Sequence, residues 1–121
     1  MNKFDHEKLN VYQASIKFVA WCGSLFDELT LPRVVRDQLE RASVSIPLNI
    51  AEGNGKYTSA DRCRYFDNAR GSALECAACI DVLVARNVVE SERAEDGKRL
   101  LFEIVSMIFG LIRANSESRT V

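Results

Sequence analysis

Apolar residues recur along most of this chain at alternating intervals of three and four, the period of a helix that buries one side. From about Asp5 to Leu29 two such series interleave. Leu9, Tyr12, Ile16, Val19, Gly23 and Phe26 form one, and Val11, Ala14, Phe18, Trp21 and Leu25 form the other. Each helical residue advances about 100°, so positions two apart lie on nearly opposite sides. The first helix is therefore apolar on two faces. The series containing Leu9 and Tyr12 is expected to enter the core. Val11, Ala14, Phe18, Trp21 and Leu25 are expected to form an oligomer interface, because a contiguous apolar stripe is rarely left in water.

A second helix is predicted from about Arg33 to Glu52, with Val35, Leu39, Ala42, Ile46 and Ile50 facing inward. Thr30 is a plausible cap before it, and Pro32 suits its first turn. Pro47 interrupts the hydrogen-bond pattern without interrupting the apolar spacing, which predicts a kink rather than a stop. Gly53-Asn54-Gly55 then ends the helix with residues that tolerate left-handed geometry. Thr58 and Ser59 can cap a third helix, whose stripe of Phe66, Ala69, Ala73, Ala77, Ile80 and Val84 reaches about Arg86. After a turn at Asn87–Glu90, Ser91 opens a fourth helix with one broad apolar face, Leu101, Ile104, Ile108 and Leu111 beside Phe102, Val105, Phe109 and Ile112. The chain is expected to be a single all-α domain over residues 1–121, an antiparallel up-down-up-down four-helix bundle, with 116–121 a flexible tail.

Composition narrows the function classes. Apolar residues make up 47% of 121, enough to build a core without disulfides or metals, so a disordered or low-complexity protein is excluded. The formal net charge is −1, and the four helix-sized stretches (1–31, 32–57, 58–90 and 91–121) carry −1, +1, −1 and 0. No basic block of the kind that drives counterion release stands out. The polar start of the chain lacks the apolar run of a signal peptide, and no stretch approaches a membrane span. Cys22, Cys63, Cys76 and Cys79 are scattered through helices, as reduced thiols of a cytoplasmic protein would be.

The search for chemistry is mostly negative. Cys76 and Cys79 form a CxxC inside a helix with no second pair, and His6 is the sole histidine. Small apolar packing explains the pair better than zinc or redox chemistry. Nucleophilic catalysis lacks a base, since His6 is far in sequence from Ser43, Ser45 and Ser72. Gly53-Asn54-Gly55-Lys56 has neither Walker spacing nor a preceding strand. No catalytic residue, metal, cofactor or small-molecule substrate is expected.

One polar pattern is more informative. Arg41, Ser45, Asn49 and Glu52 line one side of helix two, and Asn68, Ser72 and Glu75 line helix three. Antiparallel pairing would join Arg41, Ser45, Asn49, Glu52, Ser72 and Glu75 in a structural polar network. Arg33, Arg36, Lys56, Arg62 and Arg64 are the candidate nucleic-acid contacts, if they gather at one end of helices two and three.

The stretch Gln38-Leu39-Glu40-Arg41-Ala42-Ser43-Val44-Ser45-Ile46-Pro47-Leu48-Asn49-Ile50-Ala51-Glu52-Gly53 resembles the signature of a bacterial family known as four-helix bundle proteins, 23S rRNA intervening-sequence proteins or S23-type proteins. Leu9-Asn10-Val11-Tyr12-Gln13 and Ala69-Arg70-Gly71-Ser72-Ala73-Leu74-Glu75 are similar to two flanking family motifs. Tyr12, Ser15 and Asn54 depart from the usual Trp, Ala and aromatic residues. The resemblance implies a helical bundle, often a homopentamer, with no catalytic residues. It also implies an association with insertions in ribosomal RNA genes, and a fold similar to the accessory variability determinant of diversity-generating retroelements. The expected function is that of a non-enzymatic oligomeric interaction or scaffold protein, with self as partner. The alternative is an oligomeric RNA- or DNA-binding accessory protein.

Overall fold

A short 3-10 turn at Asp5–Lys8 leads into four α-helices: α1 (Asn10–Glu28), α2 (Arg33–Asn54), α3 (Ser59–Ala85) and α4 (Ser91–Thr120). The computed structural model describes residues 2–116 in full and the backbone of 117–120, and no strand occurs among them. The contacts run in opposite directions along sequence neighbours. Asn54 meets Arg62 near the α2–α3 turn while Ser45 meets Ser72 further along, and Lys98 of α4 reaches back to Asp81 of α3. Each helix packs on two others: α3 touches α2 and α4, and α1 closes the opposite side against the same pair. Helices α1 and α3 thus lie on one diagonal of a square, α2 and α4 on the other.

Local chemistry accounts for the boundaries. The Thr58 side chain accepts the Asp61 N–H at 3.1 Å and caps α3. At its far end the Val88 N–H bonds the Leu83 carbonyl and the Asn87 N–H bonds Val84, a Schellman closure around Asn87 at φ 60°. Asn tolerates that left-handed geometry. The α2–α3 turn differs from expectation. No glycine has positive φ, and Gly55 is right-handed at φ −85°. Gly53 serves a close approach instead: a Cβ there would lie 2.9 Å from the Tyr65 Cβ and 3.0 Å from the Phe66 ring.

Two helix ends also move. The 3-10 turn replaces the first turn expected of α1, and α2 begins behind Pro32 without a Thr30 cap. Helix α2 continues through Pro47, whose ring is buried in the core. Helix α4 runs to Thr120, beyond the start of the expected tail, while Val121 and the side chains of 117–120 fall outside the described residues.

The core corrects the reading of α1. Val11, Ser15, Phe18, Cys22 and Leu25 are buried, Phe18 and Leu25 completely. Three of the five residues expected at an oligomer interface, Val11, Phe18 and Leu25, are therefore core, and Ala14 and Trp21 are half-buried against it. Of the series expected inside, Ile16 is 43% exposed and the others are half-buried. The stripe that faces inward includes Ser15 and Cys22, which a count of large apolar residues passes over. Ser15 is tolerated because its hydroxyl donates to the Tyr12 carbonyl at 2.6 Å. Trp21 is anchored on Phe18, with ring centroids 5.7 Å apart, and presses on Gly97 of α4.

Candidate functional site

The predicted polar network exists in two pieces. Asn49 Nδ2 donates to both the carbonyl and the hydroxyl of Ser45, each at 2.9 Å, and Ser72 Oγ donates to Ser45 Oγ at 2.9 Å. This half-buried chain pins α2 to α3. About two turns nearer the start of α2, Gln38 Nε2 donates to a Glu75 carboxylate oxygen, and Arg41 Nη2 donates to Gln38 Oε1 at 3.3 Å. Gln38, three residues before Arg41 on the same face, is the member that the spacing argument omitted. Glu52 joins neither piece; its carboxylate lies 3.9 Å from Lys56 Nζ in the turn that follows α2.

The basic residues gather only in part: Lys56, Arg62 and Arg64 meet around the α2–α3 turn, and Arg33 and Arg36 do not join them. Arg33 and Arg36 sit at the start of α2, about 30 Å along the helix from Lys56 at 1.5 Å per residue. Arg33 lies 3.8 Å from Asp37, and Arg36 stacks over Phe26 at 5.1 Å. Lys56 and Arg64 both cover the Tyr65 ring, and Arg64 also faces Asp61 at 3.7 Å. Arg62 is a structural clamp. Its guanidinium donates to the Asn54 carbonyl at 2.7 Å, the Lys56 carbonyl at 3.3 Å and Asn115 Oδ1 at 3.0 Å, so it ties α2, the turn and α4 to α3.

Three of the four thiols are held protonated by burial. Burial pushes the Cys22 thiol up to about 12 from an ordinary 9.0, raises Cys79 and raises Cys76 further still. These thiols stay protonated, which is the opposite of nucleophile activation. Cys63 donates weakly to the Ile112 carbonyl at 3.7 Å. His6 packs edge-on to Tyr12 at 4.7 Å. Among the described residues no three His, Cys, Asp or Glu side chains converge as a metal site. No helix is long and apolar enough to cross a membrane.

What remains on the surface is apolar. On α4, Phe102 is 75% exposed and Phe109 54%, with Val105 between them on the same face. Beside them, a groove of about 290 Å³ between α3 and α4 is walled by Leu74, Ala77, Phe102 and Val105. A second depression, an open trough of about 660 Å³, follows the outer face of α2 past Asp37, Glu40, Val44, Leu48 and Glu52. The sequence signal for the first was present, since Phe102, Val105, Phe109 and Ile112 repeat at three and four. It was merged with the inner stripe because the two adjoin.

The order and packing of these helices match a known pattern. A family model described as 23S rRNA-intervening sequence protein aligns with residues 7–110. The chain belongs to that family. Its fold is shared with a solved protein of unknown function from the S23 ribosomal protein family of Bacteroides thetaiotaomicron VPI-5482. The two superpose with a TM-score of 0.78 over 84% of this chain and 97% of the other, at 23% identity. No curated protein matches the chain. The family residues on α2 that carried the resemblance now have places: Arg41, Ser45 and Asn49 bind neighbouring side chains, and Gly53 admits the Tyr65–Phe66 turn of α3.

Proposed function

We propose that this intervening-sequence protein is a non-enzymatic interaction protein that works as a closed homo-oligomer in the cytoplasm. The observation that carries this reading is the outward stripe of α4, where Phe102 and Phe109 stand largely in solvent on either side of Val105. Burying such side chains contributes about 1.5–3 kcal/mol each before the cost of association. A closed assembly covers the stripe in every copy. Five copies is the number that the family resemblance implies. Four free cysteines suit a reducing compartment.

The nucleic-acid alternative has less support, because the basic side chains are divided between two ends and are held by local partners. Sedimentation equilibrium at micromolar concentration tests the proposal. A multiple of the 13.6 kDa chain mass is expected, and a monomer at all concentrations would overturn it.

A further inference from the structure

The outer faces of α2 and α4 carry matching patterns of opposite charge. On α4, Arg99, Phe102, Val105, Phe109 and Arg113 fall within an arc of about 120°, a basic–apolar–basic ridge about 21 Å long. On α2, Asp37, Glu40, Val44, Leu48 and Glu52 fall within an equal arc, an acidic–apolar–acidic trough about 22 Å long. Leu48 is 62% exposed and Val44 41%, so the trough floor is as unpartnered as the ridge.

The charges on both faces are weakly held within the chain. Glu40 has no ion-pair partner among the described residues; Asp37 has only Arg33 on its own helix at 3.8 Å, and Glu52 only Lys56 in the following turn at 3.9 Å. Arg113 lies 6.0 Å over the Phe109 ring, and Arg99 pairs only with Asp96 at 3.3 Å. The one cation inside the trough, Arg41, is directed to Gln38.

The two faces cannot meet inside one copy, because α2 and α4 lie diagonally across the bundle without contact. Nor does the ridge suit a second ridge, since its ends are basic in both copies. Building on the self-association proposed above, we infer that the α4 ridge of one copy seats in the α2 trough of the next. This is a head-to-tail contact between different surfaces, the kind that generates rings when the rotation closes. Both faces also border α3: Ser45 beside the trough bonds Ser72, and Phe102 shares its groove with Leu74.

The test uses two full-length variants, each first shown to keep the wild-type helical circular dichroism. A ridge variant carries Phe102→Glu and Phe109→Glu; a trough variant carries Val44→Glu and Leu48→Glu. Should either lose its fold, the corresponding Gln substitutions replace it. Each variant alone is expected to sediment as a monomer. An equimolar mixture is expected to form a one-to-one dimer, because one intact ridge and one intact trough remain between them. A wild-type oligomer that survives the trough substitutions would overturn the ridge-in-trough contact while leaving self-association standing. So would a mixture that stays monomeric, since the intact ridge of one variant would then fail to seat in the intact trough of the other. A monomeric wild type would overturn both readings. As a second measurement, Glu40→Arg with Glu52→Arg is expected to weaken assembly at least tenfold, and adding Arg99→Glu with Arg113→Glu to the same chain is expected to restore it. Failure of that restoration would remove the charge complementarity on which the contact rests.

Discussion

Helices α1 and α4 both carry two apolar stripes, yet only α4 leaves one uncovered. On α1 the second stripe is closed over by the chain itself. His6 of the 3-10 turn packs on Tyr12 and the Arg36 guanidinium covers Phe26 at 5.1 Å, leaving Ile16 at 43% exposure. On α4 no element lies over Phe102, which is 75% exposed. Periodicity counts apolar positions equally, but a stripe becomes an interface only where no local side chain reaches it. A two-faced helix is thus a reason to look for a partner, and its neighbours in space decide whether the partner is inside or outside the chain.

The comparison breaks most sharply at Phe18. Because this ring is fully buried on α1, Phe18→Glu should place an unpaired carboxylate in the core and cost more than about 4 kcal/mol, enough to unfold many small domains. Loss of cooperative thermal unfolding is the expected readout. A folded Phe18→Glu monomer would return this stripe to the surface and undo the assignment.

The seam joining the two helices is the next point of leverage. A Cβ at Gly97 would stand 2.6 Å from the Trp21 ring, so Gly97→Ala should overpack the α1–α4 contact by about 1–3 kcal/mol. Although Ala favours helix over Gly by up to about 1 kcal/mol, steric displacement should win. Denaturant titration followed by Trp21 fluorescence measures the difference directly.

Alkaline pH probes the inner stripe of α1 through Cys22. Its thiol is raised to about 12 when folded, against 9.0 ordinarily. Between those values the unfolded chain has released the proton and the folded chain keeps it, so unfolding gains as pH rises. The stabilising difference is complete below about pH 9 and declines toward pH 12, by up to about 1.4 kcal/mol per pH unit for this thiol. Chemical denaturation at pH 8 and pH 10 should show the loss, with a shallower slope in Cys22→Ala.

The smallest effect on the isolated bundle is predicted on the outer stripe of α4. Phe102→Ser should change monomer stability by no more than about 0.5 kcal/mol, because the ring is mostly in solvent already. Its consequence should appear in assembly, read as a fall in sedimenting mass at the same concentration. A large loss of monomer stability would mean that the ring belongs to the core.

Much of the fold was legible before any coordinates. The stripes at Leu39–Ile50, Phe66–Ile80 and Leu101–Ile108, the cap at Thr58 and the break at Asn87 all lie where local chemistry places them. The candidate site was legible in fragments. Ser45, Asn49 and Ser72 meet as their spacing suggested, but Gln38, outside the expected set, links Arg41 to Glu75, and Glu52 stays apart. The expected basic cluster is met only in part, because the length of α2 holds Arg33 and Arg36 about 30 Å from Lys56 and its neighbours.

By itself, then, the sequence determined what depends on neighbours a few residues away: four helices, the Thr58 cap and the break at Asn87. Tertiary structure alone decided which of two opposite stripes on α1 faces inward, why Gly53 and Gly97 are glycines, and where apolar surface remains. Those outcomes depend on side chains that come from different helices, such as Trp21 on Gly97 and Tyr65 on Gly53. A periodic pattern gives the direction of each stripe around its own axis, whereas packing sets the rotation of each axis relative to the others, and burial follows from that rotation.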